Sequence, residues 1–234
     1  MLKKIVKILL VLILVAALAA VYMGVIDQLH VTPKADNGRI RVACVGDSIT
    51  YGCFCAGQPW NSYPSQLGRL LGDAYQVGNF GYTNRTLTRS GDHPYTGEAL
   101  YQKSMEFRPD IVLIMLGTND TKPYNWDPEA YKRDMIELID SYRGLDPQPQ
   151  VFIMLPPPAF EVRGKVMWDI RADVLEDELL PVLREIADEN GVPLIDTYSP
   201  FLGQSKLFID GVHPTPDGAG LLARTVYDAI ENES

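Results

Sequence analysis

A serine hydroxyl becomes a nucleophile when a base takes its proton, and that base is usually a histidine held by a carboxylate. The chain has three histidines, His30, His93 and His213. His30 lies in a polar stretch and His93 in a Gly-Asp-His-Pro loop, whereas His213 follows a carboxylate, Asp210, by three residues. Ser48, in Gly46-Asp47-Ser48, is the matching hydroxyl. Each of these signals has a plainer reading. Ser48 could cap a helix, Asp210 could cap the last loop, and Asn119 beside Gly117 could be a turn residue. Metal chemistry finds little support, because one suitably placed histidine and no ligand pair leave too few ligands. Neither a metal nor a cofactor is expected.

Positioning such residues is the task of the elements around them. Ile40–Val45, Tyr75–Phe80, Asp110–Leu116, Val151–Leu155 and Val192–Ile195 read as strands, and the third and fourth are the continuous apolar runs of strands covered on both faces. Tyr63–Leu71, Gly97–Phe107, Asp127–Tyr142, Asp169–Glu189 and Pro216–Ile230 read as helices between and after them. Regular β-α alternation implies an α/β fold, a parallel sheet with helices on both faces. In such sheets ligands bind beyond the carboxyl ends of the strands. Gly46-Asp47-Ser48, Asn79 to Thr86 and Gly117-Thr118-Asn119-Asp120 follow the first three strands, and Asp210-Gly211-Val212-His213 precedes the last helix.

Taken together, Gly46-Asp47-Ser48-Ile49, Gly117-Thr118-Asn119-Asp120 and Asp210-Gly211-Val212-His213-Pro214 resemble the blocks of the SGNH, or GDSL-type, hydrolase family. Order and spacing fit from about Arg39 to Ile230. The resemblance implies a flavodoxin-like three-layer α/β/α sandwich with a five-stranded parallel sheet. It implies a triad in which Ser48 attacks an acyl carbon, His213 is general base then acid, and Asp210 orients His213. The implied oxyanion hole takes the Ser48 N–H, the Asn119 side chain and the N–H of a second-block glycine. Asn84 stands at that glycine position, and asparagine tolerates a left-handed backbone better than other non-glycine residues. Gly81 is the alternative donor.

The longer block through Lys122-Pro123-Tyr124-Asn125-Trp126 resembles sialate O-acetylesterase-like or carbohydrate esterase members. That resemblance implies removal of small acyl groups, expected to be acetyl, from an extracellular glycan. Asp47, His93, Tyr124 and Trp126 are the candidates for touching substrate. A lysophospholipase or thioesterase, a glycan-binding module and an acyltransferase on the same fold stand as alternatives.

Composition places this chemistry outside the cytoplasm. The 234 residues suit one α/β domain, 46% hydrophobic and 22% charged. Lys3, Lys4 and Lys7 precede a run of 19 uncharged residues from Ile8 to Ile26. At about 1.5 Å per residue the run nearly spans a hydrocarbon core of roughly 30 Å. Residues 1–30 therefore read as a membrane anchor or a cleaved signal, residues 31–38 as a linker, and 39–234 as the catalytic domain. Lysines on the N-terminal side hold that end in the cytoplasm, with the domain outside. Net charge is −9 overall and about −11 beyond residue 30, which excludes nucleic acid as a partner. Cys44 reads as core packing, and Cys53 and Cys55 could form only a strained disulfide. Oligomeric state is not legible.

Overall fold

Strand formation follows from where the β-branched and aliphatic residues cluster. In the computed structural model, which describes residues 2–22, 32–36 and 38–233, five strands form one parallel sheet. They are β1 (Ile40–Gly46), β2 (Tyr75–Gly81), β3 (Ile111–Met115), β4 (Gln150–Met154) and β5 (Leu194–Ile195), in the order β2-β1-β3-β4-β5. Side chains alternate between faces. Val42, Cys44, Leu113, Met115 and Phe152 pack on one face with Tyr63 and Leu67 of α3 (Tyr63–Leu71) and Leu222 and Val226 of α7 (Pro216–Glu233). On the other face, Ala43, Val45, Val112, Ile114 and Ile153 meet α5 (Pro128–Arg143) and α6 (Leu180–Asn190), with α4 (Ala99–Glu106) beside them. Two apolar layers around one sheet make the α/β/α sandwich. Single strands buried on both faces need no polar alternation, which is why β3 is a bare IVLIM.

Register decides where the site forms. Gly46 pairs with Gly81 of β2 and with Met115 of β3, so three strands end level. The loops that leave them must begin side by side.

Two elements differ from the sequence expectation. The expected strand Val192–Ile195 is reduced to a two-residue edge, Leu194–Ile195. The expected helix Asp169–Glu189 is broken: Asp169 has φ +58°, helix resumes at Ala172–Val174, and a π turn spans Leu175–Leu179 before α6. Pro181 in the first turn of α6 has no N–H to continue an ordinary ladder, and Leu180 N–H reaches back to Leu175 O instead.

The N-terminal stretch forms α1 (Leu2–Tyr22), whose side chains are described and exposed from Val6 to Ala19. Counting residues so described, no helix is long and apolar enough to cross a membrane. The end of the apolar run (23–26), His30 and linker residues 31 and 37 lie outside the described residues.

Candidate active site

Ser48 opens α2 (Ser48–Tyr51), a single turn seated directly on the strand ends. The close seating requires two glycines. A Cβ at Gly46 would lie 2.1 Å from Thr50 Oγ1, and one at Gly81 would lie 2.3 Å from the Tyr51 nitrogen. Asn79 fixes the turn from β2, its amide donating to the Thr50 and Tyr51 carbonyls at 3.0 and 3.2 Å. Capping falls to Asp47, which accepts from Ile49 N–H at 2.9 Å. Ser48 is thereby relieved of the capping role, and its hydroxyl is turned elsewhere.

That hydroxyl lies 2.8 Å from His213 Nε2. On the far side of the ring, Nδ1 is 2.7 Å from Asp210 Oδ2. With the proton on Nδ1, the imidazole donates to Asp210 and accepts from Ser48, the arrangement that lets it take the serine proton. The second carboxylate oxygen, Oδ1, accepts from the Val212 and His213 N–H groups at 3.0 and 2.8 Å. One residue thus shapes the turn and orients the ring it carries. Burial raises the Asp210 carboxyl, but the hydrogen bonds and charge of His213, with an added bond from Trp168, hold it well below the usual carboxylate range. Asp210 stays ionised beside the ring.

Ser48 and His213 open onto a pocket of about 310 Å³, lined also by Asn84, Asn119, Phe54, Trp168 and Ile170. Asn84 holds φ +61°, the left-handed backbone expected of a residue at a glycine position. Its side-chain oxygen accepts from Lys122 Nζ, a buried ammonium that also lies 3.8 Å from Asp92. The Asn119 amide donates to the Arg85 carbonyl at 3.1 Å and stands 3.5 Å from Asp47 Oδ2. The longer contact is at the limit of a hydrogen bond, and Asn119 lines the pocket.

Other expectations are corrected. The Gly81 N–H is taken by Asn79 Oδ1 at 3.0 Å, and Gly81 does not line the pocket, so it is no alternative to Asn84. Asp47 is buried and faces Ile49 and Asn119; it supports the site from beneath and is not placed to touch substrate. Burial pushes its carboxyl up to about 6. His93 and Tyr124 are exposed off the pocket, and Trp126 packs on Tyr131 with its N–H on Glu178. The aromatic wall is built instead by Phe54 and Trp168, ring centroids 5.8 Å apart. The strand-end rule, applied to the loop after β4, points to the segment that carries Trp168 but not to the residue itself.

Below the pocket, Asp120 ties the second block to the third. It accepts from Leu87 N–H, Thr88 N–H and Thr88 Oγ1, each at 2.9 Å. Its burial raises the carboxyl to about 6 despite those bonds. Cys44 and Cys55 are buried thiols outside any disulfide, and burial pushes both up to about 12. Among the described residues no group of three or more His, Cys, Asp and Glu is placed to hold a metal.

A parallel α/β/α sheet with serine, histidine and aspartate joined at its strand ends has the form of a serine hydrolase of carboxylic esters. The GDSL-like lipase/acylhydrolase family model matches residues 44–221, and the chain belongs to that family. It is 36% identical over 218 residues to an acetylxylan esterase of Xylanibacter ruminicola, covering 85% of this chain and 44% of that protein. The chain thus spans less than half the length of that relative. Solved structures that share the fold include two esterases. A carbohydrate acetylesterase from Sinorhizobium meliloti, Est24, superposes with TM-score 0.67 at 21% identity, over 84% of this chain and all of that one (100%). An aryl esterase of M. smegmatis gives 0.66 at 23% identity, over 82% of this chain and 98% of that one.

Proposed function

We propose that this protein is a serine esterase that removes small O-acyl groups, chiefly acetyl, from an extracytoplasmic carbohydrate. The observation that carries the reading is the unbroken chain Ser48–His213–Asp210, with links of 2.8 and 2.7 Å, opening onto a small pocket. Ser48 Oγ attacks the ester carbonyl carbon as its proton passes to His213 Nε2. The negative charge on the carbonyl oxygen is received by the Ser48 and Asn84 N–H groups and the Asn119 amide. Collapse of the intermediate breaks the bond to the alcohol, which leaves with the proton from His213. A water molecule, deprotonated by His213, then releases the carboxylic acid and restores Ser48.

Two features support a short acyl group. The pocket, at about 310 Å³, stands at the small end of roughly 300–1,000 Å³ for ligand sites. The acetylxylan esterase similarity favours an acetylated sugar. Hydrolysis of p-nitrophenyl acetate, p-nitrophenyl palmitate and acetylated xylan tests both. The acetate and the xylan should be cleaved and the palmitate left. Palmitate cleaved as fast as acetate would replace this reading with a lysophospholipase or thioesterase. Ser48→Ala should abolish turnover of every ester.

Export is part of the proposal. The apolar run Ile8–Ile26 and the exposed aliphatic side chains of α1 support a membrane anchor or a signal sequence, with residues 39–234 as the domain outside.

A further inference from the structure

Trp168 stands in a short loop that the triad does not require. The segment between β4 and α6 is tied down at both ends. Phe160 N–H donates to Gly211 O at 2.8 Å, and Arg171 Nε donates to Thr121 O at 2.6 Å. The first tie depends on Gly211, where a Cβ would come within 2.2 Å of Phe160 O. Between the ties, Trp168 is held at φ +65°, a left-handed backbone that is strained for a non-glycine residue. The strained backbone delivers the indole N–H to Asp210 Oδ2 at 2.8 Å. This is the same oxygen that receives His213 Nδ1.

The ring has a second use. Its centroid lies 6.0 Å from that of His213 and 5.8 Å from Phe54, which itself meets His213 edge-on at 5.1 Å. The leaving alcohol of an ester must lie beside His213, because it takes its proton from Nε2. The Phe54–Trp168 wall therefore faces the alcohol half of the substrate, while Asn84 and Asn119 are the residues proposed to face its carbonyl oxygen. Trp168 is half exposed, at 49%, so one face of the indole is free to meet a ring such as a sugar.

We infer that Trp168 is a positioning residue for the Asp210–His213 pair and, through its ring, a specificity residue for the alcohol half of the ester. The inference rests on the esterase reading above. Two N–H donors divide the charge of Asp210 Oδ2. Removing the indole donor leaves that charge to His213 alone, which holds the imidazolium more firmly and makes the free base available only at higher pH. The other ionisable groups near the ring are Asp47 beneath Ser48 and the Cys53 thiol on the pocket wall. Asp169, on the same loop, is exposed.

The test uses Trp168→Phe, which keeps a ring and removes the N–H, and Trp168→Ala, which removes both. The pH profile of kcat/KM is followed with p-nitrophenyl acetate, and KM with acetylated xylan. In both variants the acid limb should move up by about half a pH unit or more, the scale of one lost hydrogen bond to a charged group. KM for the sugar ester should rise about tenfold in Trp168→Ala and no more than about twofold in Trp168→Phe, as loss of one aromatic contact implies. An acid limb in Trp168→Phe that overlays the wild type overturns the positioning role, and equal KM values in the two variants overturn the specificity role. Should Trp168→Ala fold poorly, the Trp168→Phe profile still decides the first point. A wild-type protein inactive on both esters would defeat the esterase reading itself, a result distinct from an active enzyme with an unmoved limb.

Discussion

Asn84 occupies a backbone conformation that glycine adopts freely, and its side chain is used to hold it there through Lys122. Asn84→Gly should keep kcat/KM on p-nitrophenyl acetate within about tenfold. Asn84→Ala should fall further, because alanine in the left-handed region costs roughly 1–2 kcal/mol and cannot bond Lys122. The Asn119 amide, as a donor to the developing oxyanion, should be worth about 10²–10³ in kcat, measured on Asn119→Ala. A loss below tenfold would leave it a turn residue only. The buried carboxylates have a separate signature in stability. Asp47 and Asp120 are raised from 3.8 to about 6, so between those values the native protein binds protons that the unfolded chain has released. Stability must therefore fall as pH rises from about 4 to about 6 at these sites. Asp210, lowered, gives the opposite slope, but only below its unfolded value and outside this window. Urea midpoints for the wild type should decline across pH 4.5, 5.5 and 6.5, and Asp47→Asn with Asp120→Asn should flatten the decline.

At the scale of elements, the sheet holds the site because three strands end level. A truncation inside it tests that dependence without touching the pocket. Leu113→Ala, fully buried in the middle of β3, should cost about 2–5 kcal/mol by urea denaturation while sparing kcat. The same elements show what the sequence made legible. Apolar runs reveal strands because burial on both faces leaves a pattern local to each run. Ser48 could be paired with Asp210 and His213 because each lies in a short motif, the first at the edge of such a run and the second just before the last helix. The pocket wall was hidden for a different reason. A strand-end rule locates a loop but says nothing of side-chain direction, so Tyr124 and Trp126 stood as candidates while Phe54 and Trp168 went unmarked. Trp168 was further masked by the helical periodicity that begins at Asp169, where the true chain is kinked by positive φ and resumes through a π turn ahead of Pro181. Backbone strain of that kind depends on tertiary ties such as Arg171 to Thr121, which have no local signature.

For the whole molecule, the acidic body and the lysine-flanked apolar start predict where it is found. On the proposed export, the protein expressed with residues 1–38 should sediment with membranes, resist alkaline carbonate extraction and be released by detergent. Recovery in the external medium at reduced mass would identify a cleaved signal instead. The loop after β4 carries a consequence for how such an enzyme can be altered. The triad sits on strand ends packed so tightly that Gly46 and Gly81 leave no room for a side chain. The Trp168 half of the alcohol-facing wall hangs from the stretch between Phe160 and Arg171, fastened by a handful of hydrogen bonds. Grafting a different segment between β4 and α6, with the Phe160 and Arg171 fastenings retained, is thus the route to a new alcohol preference that leaves the nucleophile undisturbed.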